Sequence, residues 1–151
     1  MTIRFSLDSN ILVYAADDRH PRRQNSALEI INRAALRDCV LTPQALSEFF
    51  HAVSRKGIMP RTDAAEQVRD WATTFAVSQG ATVAAVLAAT QASAAGRFQF
   101  YDALLLATAR EAGCTAVISE DMANGAELDG ARVVSAFGAR GVIATDAIAL
   151  L

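Results

Sequence analysis

Four short, largely apolar runs punctuate the chain: Ile3–Leu7, Val40-Leu41, Ala116–Ile118 and Arg132-Val133-Val134. Each is too brief for a helix and reads as a buried strand. Helical patterns fill the intervals. Asn10 is placed to cap a short helix over Ile11–Ala16, and Pro21 opens one running to about Leu36 with Leu28, Ile31 and Leu36 inward. Thr42-Pro43 opens a helix to about Lys56 that Gly57 closes. Thr62 is the expected cap of a helix to about Phe75, with Val68, Trp71 and Phe75 at helical spacing. Ala81–Ala95 and Asp102–Ala112 read as further helices, ended by Gly96 and Gly113. Short buried strands alternating with helices imply right-handed βαβ units: an α/β fold with a short parallel sheet flanked by α-helices. Such sheets place their sites beyond the carboxyl ends of the strands, where strand order reverses.

A chain of 151 residues suits one domain with a core that needs no staples. The mean hydropathy is +0.23 with 20% charged residues, which fits a globule rather than a disordered chain. The most apolar segment, Ala81–Ala95, is interrupted by Thr82, Thr90, Gln91 and Ser93, so no membrane span is expected. Met1-Thr2-Ile3-Arg4 leads directly into the first strand without a signal-peptide core. Cys39 and Cys114 lack metal-ligand spacing and read as buried free thiols. These features place the chain in the reducing cytoplasm.

Four acids fall at strand ends or helix starts, or between apolar neighbours. Asp8 closes the first strand, Asp121 follows Ala116–Ile118, and Glu48 and Asp102 are flanked by Phe49-Phe50 and Phe100-Tyr101. A carboxylate against an apolar wall is costly unless its charge is compensated, and a divalent metal compensates several together. Each acid has a plainer reading. Asp8 could be a turn or cap, with Ser9 and Asn10 shaping the loop, and Asp102 could cap its own helix. Glu48 shares a helical stripe with His51 and Arg55, away from Phe49, Phe50 and Val53, and that stripe could be solvated surface. His51 reads as an exposed or satisfied histidine rather than a base. Spacing alone does not choose between Glu120 and Asp121.

The net charge of −2 argues at first against a nucleic-acid partner, but the distribution is uneven. Residues 19–37 hold Arg19, Arg22, Arg23, Arg33 and Arg37, with His20, against the single acid Glu29. Arg55, Lys56 and Arg61 form a second cluster. Arg22, Arg23, Arg55 and Lys56 are therefore candidate phosphate contacts, although solvated helix faces would show the same pattern. No Walker loop, dinucleotide fingerprint, Gly-x-Ser-x-Gly elbow or zinc spacing is present. A ligand set of carboxylate oxygens selects hard cations, Mg²⁺ or Mn²⁺.

At these residues the chain resembles the PIN-domain ribonucleases, of the VapC-type toxin group in bacterial toxin–antitoxin pairs. The resemblance runs from Ile3 to about Val134. Its anchors are Leu7-Asp8-Ser9-Asn10-Ile11-Leu12-Val13-Tyr14-Ala15 and Pro43-Gln44-Ala45-Leu46-Ser47-Glu48-Phe49-Phe50. Phe100-Tyr101-Asp102-Ala103-Leu104, Ala109-Arg110-Glu111-Ala112-Gly113-Cys114 and Ser119-Glu120-Asp121-Met122 complete the set. The resemblance implies a single PIN-like domain whose metal ligands are Asp8, Glu48, Asp102 and Asp121. It selects Asp121 over Glu120, and makes Ser119 a hydroxyl that supports the ligands or faces substrate. It further implies an RNA substrate, a homodimer and a small cognate antitoxin whose tail fills the groove. Residues 138–151 continue past the family's last strand and have no assignment.

The activity implied is endonucleolytic hydrolysis of RNA, with metal lowering the pKa of water and steadying an in-line displacement. A PIN-fold DNA nuclease is the nearest alternative, followed by a catalytically silent binding module. A phospho-receiver domain needs a late lysine, whereas Lys56 is the sole lysine.

Overall fold

A computed structural model describes residues 2–151. Met1 lies outside that range. The chain runs β1 (Phe5–Leu7), α1 (Ser9–Ala16), α2 (Pro21–Ala34), β2 (Val40–Leu41), α3 (Pro43–Arg55) and α4 (Arg61–Thr74). It continues through β3 (Ala76–Val77), α5 (Val83–Ala94), α6 (Phe100–Glu111), β4 (Ala116–Ser119), β5 (Glu127–Leu128) and β6 (Ala131–Ser135). A 3₁₀ turn at Ala139–Gly141 and α7 (Thr145–Ile148) follow.

The main sheet has the order β1-β4-β6-β5, with β1, β4 and β6 parallel and β5 antiparallel. Strands β2 and β3 form a parallel pair, which a bridge between Phe5 and Cys39 joins to β1. From β1 the chain thus builds outward on one side through β2 and β3, then crosses to β4 and builds on the other. Strand order reverses between β1 and β4, and the crevice beyond their carboxyl ends is the expected place for a site. The α/β architecture read from the alternating runs is the one observed.

Helix α2 buries Ala27, Ile30, Ile31 and Ala34, an i, i+3, i+4, i+7 stripe whose small members allow close packing on α1. That orientation leaves the expected core residues Leu28 and Leu36 exposed, at 42% and 80%, and the helix stops at Ala34 before Leu36. Phe50 is likewise at the surface, while Phe49 and Val53 are fully buried. Phe49 meets Trp71 edge to face at 4.7 Å, locking α3 to α4.

Three expected caps are displaced. Asp8, not Asn10, is the N-cap of α1, because the strand ends one residue earlier and the Asp8 carboxylate accepts from Ser9 N. Pro60 rather than Thr62 precedes α4. Helix α6 begins at Phe100 behind Gln99, which puts Asp102 in the first turn instead of at the cap. Thr42 caps α3 as expected, accepting from Ala45 N at 3.1 Å. Strands β3 and β5, two residues each, carry no strand pattern in the sequence. Strand β5 turns into β6 through Asp129-Gly130, both at positive φ (50° and 93°), a two-residue hairpin that a bare Asp-Gly pair signals. The last fourteen residues fold back on the body: Ser26 Oγ donates to Gly141 O, Arg37 Nε donates to Leu151 O, and Leu150 and Leu151 are buried.

Burial lifts the Cys114 thiol to about 11 and drives Cys39 higher still. Neither side chain is exposed. Both should therefore be inert to a thiol reagent in the native protein and react together on unfolding. Rapid native labelling of one thiol would contradict this burial.

Candidate active site

Asp8 sits at the carboxyl end of β1, where its own N–H donates to Ile118 O at 2.9 Å and so extends the β1–β4 ladder by one residue. Its side chain is 5% exposed. One carboxylate oxygen accepts from Ser9 N at 2.7 Å. The other accepts from Ser119 Oγ at 2.7 Å and Asn10 Nδ2 at 3.4 Å. Ser119, the fully buried last residue of β4, also accepts from Asp121 N at 3.2 Å and Asn10 Nδ2 at 3.3 Å. Asn10 Oδ1 accepts from Glu120 N at 3.4 Å. Adjacent strand ends thus tie Asp8 to the loop carrying Asp121. Asn10 and Ser119, expected to support the site, lie at its base.

The other two acids come from helices packed beside that edge. Glu48 lies in the second turn of α3, with Oε1 accepting from Gln44 Nε2 at 3.3 Å. Gln44 also donates to Tyr101 O at 2.9 Å and so joins α3 to the start of α6. Asp102 lies one residue further along α6.

All four acids share one electrostatic neighbourhood. Burial raises the Asp8 carboxyl above its ordinary value; Ser119 and Ser9 partly offset this, and Asp102 and Asp121 add to it. Burial also raises Glu48, helped by Asp8 and Asp102 and opposed by the Gln44 hydrogen bond. Asp102 is raised by burial and then by Asp121. Glu48 thus feels Asp8 and Asp102, and both of these feel Asp121, so charge links the four acids into one row. Among the described residues no three His, Cys, Asp or Glu side chains stand close enough together to hold a metal ion as they are placed. The four acids are an open set of hard oxygen donors, the donor type that divalent cations such as Mg²⁺ and Mn²⁺ take.

Glu120 turns away from the row. Its carboxylate pairs with Arg23 at 3.3 Å, and with burial it pushes the Tyr14 phenol upward. Arg23 lies over the rings of Tyr14 and Phe137, at 5.6 and 5.9 Å from their centroids. The pair therefore orients the loop whose next residue is Asp121.

Two clefts meet at Asp121. One, about 440 Å³, lies beside Asp102 and is lined by Arg97, Phe98 and Met122. The other, about 310 Å³, is lined by Ser9, Asn10, Tyr14, Lys56 and Glu120. Lys56 thus borders the site, whereas Arg55 and His51 are exposed and line neither cleft. Arg22 and Arg23 line a third cleft further along. Arg97 escaped the sequence reading, although its place three residues before the Phe100 helix start was a usable signal.

The PIN domain family model matches residues 6–123. The chain belongs to the PIN-domain family. Comparison with curated protein sequences gives no match. The fold is similar to VapBC2 from Rickettsia felis bound to a promoter DNA fragment (TM-score 0.64, 12% identity, 88% of this chain and 98% of that one). It is also similar to VapC20 from Mycobacterium tuberculosis, a sarcin-ricin loop cleaving toxin (0.60, 17%, 75% and 86%). DNA-bound VapBC from Salmonella typhimurium is a third similar structure (0.62, 15%, 89% and 98%). At these identities the likeness is one of fold.

Carboxyls with raised native pKa values bind protons more tightly folded than unfolded. Their effect on stability is most favourable below the ordinary carboxylate value and is lost as pH rises through the raised native value. In EDTA, the Tm of Asp8→Asn should therefore gain on that of the wild type as pH rises from 4 to 7. A gap that moves the other way would mean that the ionised carboxylate is net stabilising.

Proposed function

We propose that this PIN-domain chain is a Mg²⁺- or Mn²⁺-dependent endoribonuclease and acts as the toxin of a toxin–antitoxin pair. The observation that carries this reading is the set Glu48, Asp8 and Asp102, raised by burial at the strand-order switch, with exposed Asp121 adding its charge to Asp8 and Asp102. Three such carboxylates beside a fourth are costly, and a divalent cation turns that cost into binding energy.

Asp8, Glu48, Asp102 and Asp121 would hold the metal, which when bound supplies Lewis acidity and a water of lowered pKa. The chain's own residues do the rest. Ser119 and Ser9 fix the two Asp8 oxygens, so the ligand needs no reorganisation. Gln44 fixes one Glu48 oxygen and leaves the other free. A carboxylate in the row with a raised pKa is suited to accept the proton released by the attacking water. The flanking clefts bring Arg97 on one side and Lys56 on the other to the RNA backbone. No protein nucleophile is required, in keeping with hydrolysis by water.

The toxin role follows from the fold likeness to VapC and VapBC proteins. We infer from it a cognate antitoxin that covers the groove, a homodimeric assembly and a cytoplasmic site of action. Among the described residues no helix is long and apolar enough to cross a membrane.

The test is cleavage of single-stranded RNA, beside DNA, by protein purified under denaturing conditions and refolded free of inhibitor. RNA should be cut with Mn²⁺ and not in EDTA, and Asp8→Asn or Asp102→Asn should slow cutting by about a hundredfold or more. Variants that fold normally yet cut at the wild-type rate would remove the acid row from the chemistry, and cutting of DNA alone would overturn the substrate assignment.

A further inference from the structure

The third cleft lies apart from the acids. It encloses about 610 Å³ and is lined by Arg19, His20, Pro21, Arg22, Arg23, Gly138, Arg140 and Gly141. Four arginines line it and no acidic residue does. Two of the four are ion-paired: Arg19 is held by both oxygens of Asp17 at 2.9 Å, and Arg23 by Glu120. Arg22 and Arg140 have no ionic partner among the described residues and are exposed. Arg23 Nε is buried with no acceptor.

Residues 138–141 are seated on the first two turns of α2. Ser26 Oγ donates to Gly141 O at 2.6 Å. Gly141 is left-handed at φ 74°, and a Cβ there would lie 3.2 Å from Arg23 Cγ, so glycine suits this close approach. Arg140 itself is left-handed at φ 61°, an uncommon state for a residue with a side chain, and it lines the same cleft as Arg22. Gathering like charges this way is unfavourable unless an anion joins them.

The cleft also opens towards the acids. It shares Arg19 and His20 with the Lys56 cleft, which in turn includes Asp121. Helix α1 separates Asp8 from Asp17, and its 8 residues span about 12 Å. That is a reach for a short stretch of polyanion rather than for a single free ion.

We propose that Arg22 and Arg140, with Arg19 and Arg23 behind them, form a phosphate-binding subsite for the RNA backbone on one side of the cut, built in part by the segment beyond the family's last strand. The proposal rests on the RNA-cleaving reading of the acid row and adds to it the course of the strand.

Binding is measured by fluorescence anisotropy of a short labelled single-stranded RNA in EDTA, where no cleavage is expected, over a series of salt concentrations. The variants are Arg22→Ala/Arg140→Ala, Arg22→Lys/Arg140→Lys, and a control, Arg69→Ala/Arg132→Ala, at exposed positions outside the cleft. The alanine pair should bind about tenfold more weakly or worse, and its log–log salt slope should shrink by about 1.4, as for two lost phosphate contacts on a single strand. The lysine pair should regain the slope, because it keeps the charge. The control should bind as the wild type does.

An unchanged affinity and slope in the alanine pair would overturn the subsite, whatever that variant does to an acidic segment of a protein partner. A loss that lysine does not restore would overturn it too, because the effect would then not be one of charge. RNA that binds through these arginines but is never cut with Mn²⁺ defeats the nuclease reading alone. RNA cut by a protein whose binding ignores them defeats the subsite alone.

Discussion

The hydrogen bond from Ser119 Oγ to Asp8, 2.7 Å long and buried on both sides, is where fold and site become one object. It joins the last residue of β4 to the residue that ends β1, across the point where strand order reverses. Ser119 then spends its acceptor capacity on Asp121 N–H and Asn10. A carboxylate this deep is tolerable only with fixed donors around it, and those donors come from the two strand ends themselves. The sheet therefore does more than carry the acids. Its register, with Leu7 opposite Ile118, decides which hydroxyl meets which carboxylate. A slip of one residue would turn Asp8 or Ser119 away from the other.

The helices add what the sheet edge cannot. Two carboxylates on adjacent strand ends are a pair, and Glu48 and Asp102 must arrive from the side. Gln44 spans that gap by donating to both Glu48 and the α6 backbone, so the α3 and α6 acids keep a common frame. Burial then acts on three of the four carboxyls in one direction, as their raised pKa values show. Stability given up here is recovered elsewhere, in the aromatic lock of Phe49 on Trp71 and in the fully buried Phe5, Leu7, Ile11 and Leu12.

Much of this was legible in the residues. The four main strands needed only short apolar runs, and the α/β class followed from their alternation with helices. The acids stood out because each lay at an element end or among residues that bury. Where the reading failed, competing local signals were nearly equal. Asp8 and Asn10 are both good caps, and the choice turned on where the β1–β4 ladder stopped, a fact of pairing rather than of composition. Leu28 and Leu36 looked like core because leucine usually is, but small Ala27 and Ala34 let α2 sit closer on α1 and set its rotation. Strand β5 is two residues long and carries no pattern of its own; only its Asp-Gly turn could have shown it. Glu120 and Asp121 were separable by no spacing rule, and Arg23, far away in sequence, is what holds Glu120 aside.

Charge shows most clearly why whole-chain averages mislead. A net charge of −2 suggests an unwelcoming surface for a polyanion. The structure sorts that charge into a row of acids and an adjoining cleft of guanidiniums, with Glu120 and Asp17 at their boundary, each clamped by an arginine. Asp17 illustrates the strength of the clamp: the Arg19 hydrogen bonds hold its carboxyl down at about 2, so it stays an anion under all ordinary conditions. Fields of opposite sign so close together would cancel at long range and act only on a ligand already in contact. A phosphodiester strand whose scissile group meets metal-bound acids, and whose neighbouring phosphates meet arginines, matches both fields at once. Neither field alone would distinguish that strand from a free cation or a free anion.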